Sequence, residues 1–138
     1  MADVDSVHGV RISEEVAAYL MRNTGDSDMV EVSSPGVQWR LDRPQATRYT
    51  TLTPLTLSRT DGSFTEYQKR WQAEYVARIT KFRPMFYVAE DTIDRNGRIA
   101  TPGMLPAIPG LRPLIDRDYY LDTSIGVYEF TELVLGIS

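Results

Sequence analysis

The sequence contains no cysteine. That removes disulfides, thiolate nucleophiles, iron–sulfur ligation and any zinc site built on sulfur. It has a single histidine, His8. Zinc sites that need two or three imidazoles are thereby excluded, and a Ser-His-Asp triad is disfavoured. The neighbourhood Ser6-Val7-His8-Gly9 reads as a solvated surface segment. No apolar run approaches the length that spans a bilayer. The acidic start, Met1-Ala2-Asp3-Val4-Asp5, lacks the apolar core of a signal peptide. The expectation is a soluble chain without a membrane span.

Positive charge is also in short supply. Fifteen Lys and Arg face nineteen Asp and Glu, for a net charge of −4. A free-standing duplex-DNA binder needs a basic face to neutralise phosphates, so nucleic acid is disfavoured as a partner. The glycines form neither a P-loop nor a dinucleotide fingerprint. Thr60-Asp61-Gly62-Ser63 reads instead as a turn and helix cap. No cofactor is implied by any motif.

What is present is ordinary for one folded domain. The chain has 138 residues, 42% hydrophobic and 25% charged, which suffices to bury a core. Residues 1–138 are read as a single domain. Residues 1–11 form a polar lead-in, followed by a short helix from Ser13, as N-cap, to Arg22, stopped by Gly25. Val30 and Val32 alternate with polar neighbours, as do Val37, Trp39 and Leu41. With the turn Ser34-Pro35-Gly36 between them, they suggest a β-hairpin. The threonine-rich stretch 48–58 suggests strand structure interrupted at Pro54.

The strongest signal runs from Ser63 to Phe82. Ser63 and Glu66 fit a capping box. Phe64, Tyr67, Trp71, Tyr75, Ile79 and Phe82 recur at spacings of three or four, which predicts one long helix with an aromatic stripe. Met85–Ala89 reads as a buried strand, and Asn96-Gly97 as a hairpin turn leading to residues 98–101. Residues 126–137 read as one or two strands, with a short helix over 131–135 as the alternative. The expected fold class is α+β. A mostly antiparallel sheet of about five to seven short strands carries the long helix (about 63–82) on one face, with a short N-terminal helix beside it. A partly open barrel with a packed helix is the runner-up.

Charge is sorted along the chain. Residues 63–85 sum to +3, residues 1–62 to −3 and residues 86–138 to −4. Arg70, Arg78 and Lys81 flank the aromatic stripe. They read either as a solvated flank with a Glu74–Arg78 pair or as a contact for an acidic partner or a single nucleic-acid strand. Two acidic groups, Glu90, Asp91, Asp94 and Asp116, Asp118, Asp122, read as surface charge. A Mg²⁺ or Ca²⁺ site is the alternative.

The segment 101–113 is a Pro/Gly-rich loop that carries Met104, Leu105, Ile108 and Leu111. A long irregular loop rich in apolar groups either wraps its own domain or inserts into a neighbouring subunit. The functional expectation is a non-catalytic interaction or assembly module, with protein partners or self-association. A structural subunit of a virus or phage particle, or a small subunit of a larger complex, fits that description. The expected interface residues are Met104, Leu105, Ile108, Leu111, Arg70, Arg78 and Lys81. An immunity or antitoxin-type inhibitor and a small metal-dependent enzyme using the acidic groups are the alternatives.

Overall fold

A computed structural model describes residues 4–32, 35–49, 52–91, 108–126 and 131–138. The elements follow in the order α1 (Val4–Arg22), β1 (Val30–Val32), α2 (Pro35–Trp39), α3 (Thr53–Thr56), α4 (Glu66–Phe82), β2 (Phe86–Asp91), α5 (Leu111–Asp118), β3 (Tyr119–Ile125) and β4 (Thr131–Ile137). The described strands form one sheet of order β1-β2-β4-β3. β1 runs parallel to β2, while β2–β4 and β3–β4 are antiparallel. The class is α+β with a mixed sheet. No described helix is long and apolar enough to cross a membrane.

β1, β2 and β4 are covered on both faces, because their alternate residues turn to opposite sides of the sheet, whereas the edge strand β3 leaves Tyr120 and Leu121 52% and 59% exposed. Phe86 and Val88 of β2, Val134 of β4, and Val30 and Val32 of β1 pack with Ile12, Val16, Ala17 and Leu20 of α1. Tyr87 and Ala89 of β2 and Leu135 of β4 pack on the other side with Tyr75 and Ile79 of α4. Leu111, Leu114 and Ile115 of α5 complete that second core. Both sets lie at or below 9% exposure, so each face is a packed interior.

Several sequence expectations need correction. α1 begins at Val4, so residues 4–11 are helical and Ser13 is not its N-cap. Ser13 is buried because the backbone of α2 crosses there: a Cβ on Gly36 would lie 2.7 Å from Ser13 Oγ. The hairpin of β1 with residues 37–42 does not form. Pro35 opens α2 instead, where its missing N–H and fixed φ suit a first helical turn. β1 finds its partner far along the chain, in β2. Pro54 likewise sits in the first turn of α3 rather than in a strand. α5 was not anticipated. Pro113 reads as a breaker, but it falls within that helix's first turn, where proline is tolerated. Over 131–135 the strand reading holds and the helical alternative does not. The Asn96-Gly97 turn and residues 98–101 lie outside the described residues.

α4 starts two residues later than its anticipated first turn. Thr65 is the N-cap, and its hydroxyl accepts from Gln68 N while Gln68 Oε1 accepts from Thr65 N, at 3.1 and 2.9 Å. Ser63 donates to Asp61 instead. The helix ends at Arg83, the described non-glycine residue with positive φ, whose N–H returns to Ile79 O.

The α1–α2 crossing can be tested directly. Gly36→Ala should cost about 1–3 kcal/mol through overpacking. Adding Ser13→Ala should restore most of that loss in a urea-denaturation double-mutant cycle. Additive losses would show that the two backbones do not meet there.

Candidate functional site

α4 divides its surface between a core and solvent. Gln72, Tyr75 and Ile79 are buried, whereas Tyr67 is 63% exposed and Phe82 37%. Trp71 and Val76 are only partly covered. The aromatic stripe is thus rotated partly out of the interior, with Gln72 taking a place inside. Gln72 Nε2 donates to Leu55 O at 2.7 Å, and Gln68 Nε2 donates to Leu57 O at 2.7 Å and Pro54 O at 3.3 Å. Two glutamines one turn apart therefore fasten α3 and its exit to α4.

Arg70, Arg78 and Lys81 are all exposed on α4, and each lies against a ring. The Arg70 guanidinium is 5.2 Å from the Tyr67 centroid, Arg78 is 4.9 Å from that of Phe82, and Lys81 Nζ is 5.2 Å from the same ring. The anticipated Glu74–Arg78 pair is not formed. Glu74 accepts from Arg48 at 3.2 Å, and Arg78 Nε donates to Ala46 O at 2.8 Å. Glu66 pairs with Lys69 at 3.3 Å. Both carboxylates of the helix are thereby occupied, while among the described residues Arg70, Arg78 and Lys81 pair with none.

Beside Tyr67 and Trp71, whose ring centroids are 6.3 Å apart, lies a surface cavity of about 350 Å³. Arg48, Tyr49, Pro54 and Trp71 line it. The Arg48 guanidinium sits 5.2 Å from the Tyr49 centroid. Leu57, whose carbonyl accepts from Gln68 Nε2, is 71% exposed.

The Arg48–Tyr49 wall is the end of a strap, residues 43–49, laid along the outer edge of β1. Arg43 donates to Thr24 Oγ1 at 2.9 Å and Thr24 O at 3.1 Å, at the end of α1. Val30 N donates to Pro44 O, and Val32 N to Gln45 Oε1, both at 2.9 Å. Glu31, between those two valines, is 1% exposed. Thr47 Oγ1 lies 3.0 Å from each Glu31 carboxyl oxygen, and Thr47 N is 3.3 Å from Oε1. Burial pushes the Glu31 pKa up to about 8, against the hydrogen bonds of Thr47 and the charge of Arg78. Tyr75 and Tyr87, whose hydroxyls are 2.7 Å apart, are likewise pushed above the ordinary tyrosine range by burial.

Compared with known protein families, curated proteins and solved structures, the chain matches none.

The other candidate residues are placed differently. Ile108 is 3% exposed and Leu111 0%, both in the core beneath α4. Their own domain occupies the surface they would offer a partner. Met104 and Leu105 lie outside the described residues. Asp116 is 3.7 Å from Arg112, Asp118 is 2.9 Å from Arg117, and Asp122 accepts from Tyr19. Glu90 and Asp91 lie in β2 opposite Glu132 and Thr131, and Asp94 is outside the described residues. Among the described residues, no group of three or more His, Asp or Glu is placed to hold a metal ion. Sequence reasoning missed Arg48, Tyr49, Pro54, Glu31 and Thr47, which lie in segments without helical periodicity. A carboxylate between two buried valines was the available signal for Glu31.

The proton on Glu31 ties stability to pH. Its folded-state pKa, about 8, exceeds the ordinary value of 4.5, so the folded state holds a proton that the unfolded state releases. The stability this contributes is full below the lower value and is lost as pH rises through the upper one. In urea denaturation, the wild type should lose up to roughly 4 kcal/mol relative to Glu31→Gln across that window. Parallel pH profiles for the two proteins would refute the buried acid.

Proposed function

We propose that this chain is a non-catalytic interaction and assembly module that docks an acidic protein partner on the face formed by α4, Arg48, Tyr49 and residues 52–57. The observation that carries the reading is the exposed cation–aromatic surface around Tyr67, Arg70 and Trp71, set beside a cavity large enough for one or two side chains. Tyr, Trp and Arg are the residue types enriched where binding energy concentrates in interfaces. Here a helix and two glutamine staples hold them in place, so little ordering cost falls on association.

Charge selects the partner. The carboxylates of α4 are already paired within the chain, whereas Arg70 and Lys81 keep their charge available to a ligand. An acidic surface would be steered to this face and a basic one repelled. A protein is favoured over a nucleic acid because the chain as a whole carries −4. A subunit of a particle or of a larger complex suits such a face. The loop residues Met104, Leu105, Ile108 and Leu111 are not needed for this reading.

The test is native mass measurement of the chain isolated from cells that express it. Wild type should be recovered in a complex larger than its own 15.7 kDa. Tyr67→Ser with Arg70→Glu should weaken that complex by roughly 30-fold or more, the effect of losing one interface hot spot. Thermal stability should change little, since both side chains are exposed. Retention of the complex by this variant would overturn the assignment.

A further inference from the structure

The cavity's Arg48–Tyr49 wall hangs on a buried acid. Residues 45–49 have no helix or ladder of their own. They are held by the isolated bridge from Val30 to Gln45, by Gln45 Oε1 on Val32 N, by Arg78 on Ala46 O and by Thr47 on Glu31. Ala46 and Thr47 are 0% and 6% exposed, so the strap is packed as well as bonded. Among the described residues, no cation lies within ion-pair distance of Glu31. The groups facing it are Thr47 from the strap, Arg78 and Tyr75 from α4, Tyr87 from β2 and Tyr119 at the start of β3.

We propose that protonated Glu31 is the catch of a proton-sensitive strap, and that loss of its proton loosens residues 45–49 and with them the Arg48–Tyr49 wall of the docking cavity. The consequence for docking rests on the function proposed above; the catch itself does not. Thr47 donates its hydroxyl and its N–H to the Glu31 carboxyl oxygens, which offsets part of the cost of charging the acid but less than burial adds. Ionised, the acid is a 1% exposed charge that no cation among the described residues approaches within ion-pair distance, Arg78 acting only from further away, which is costly. Hydration relieves that cost. The strap is the covering element that moves most cheaply, because the others around Glu31 belong to α4 and the sheet. Release of a proton to solvent balances the step, and no other reactant is required.

Tryptophan provides the readout. The chain has two, Trp39 and Trp71. Trp39 is 86% exposed, so Trp39→Phe leaves Trp71, in the cavity wall opposite Arg48 and Tyr49, as the only reporter. In that background, Trp71 emission should shift to the red with a midpoint near pH 8. Amide-exchange protection at residues 46–49, corrected for intrinsic pH dependence, should fall with the same midpoint. Glu31→Gln should abolish both changes. Thr47→Val should move the midpoint upward, because the Thr47 hydroxyl bond favours the ionised acid.

A flat wild-type response between about pH 6 and about pH 9.5, or a transition retained in Glu31→Gln, would overturn the catch. The partner complex isolated above separates the two ideas. A strap transition that leaves partner affinity unchanged supports the catch and refutes docking at this face. Absence of the transition, with binding still lost in Tyr67→Ser and Arg70→Glu, refutes the catch and leaves the docking site standing.

Discussion

The covering of β1 and β2 on both faces is the constraint from which the rest follows. A strand with solvent on one side can present alternate residues to water. β1 cannot, since α1 closes over Val30 and Val32 while α4 and its neighbours close over the opposite face. Glu31 must therefore point into an interior. A carboxyl there requires hydrogen bonds, and they come from Thr47, which in turn requires the strap to lie along the β1 edge. That strap also blunts an otherwise open edge, a recurrent need of sheet proteins. One buried acid thus links the interior of the sheet to the position of Arg48 and Tyr49 at the surface.

α4 carries the second division of labour. Its inward residues anchor a core, and two glutamines, usually surface residues, bind the backbone of residues 54–57. Polar side chains used in this way convert a short helix and a loop into fixed walls. The outward aromatic groups are accompanied by cations over their rings. A guanidinium against a π face keeps an exposed ring partly covered without burying it.

The two cores also explain why the strands pair as they do. β1 and β2 meet in parallel, and the chain between them includes α4. Antiparallel pairing of β2 with β4 and β4 with β3 then closes the sheet toward the far edge. Gly36 admits α2 against α1 at Ser13, which seals the end of the α1 face where Val37 enters.

The sequence alone was enough for the α+β class, for α4 within two residues at its start, and for β2. These are local properties: apolar spacing and β propensity act within a few turns of chain. Tertiary structure decided the rest. Val37, Trp39 and Leu41 carry a strand-like alternation, yet α2 forms because β1 finds a better-buried partner 56 positions away, at Phe86 opposite Val30. Which side of α4 faces water, and that Glu31 is sealed beneath Thr47, depended on distant segments competing for the same surface. Periodicity along one segment cannot record that competition, because the energy of burial belongs to the pair of surfaces that meet and not to either sequence by itself.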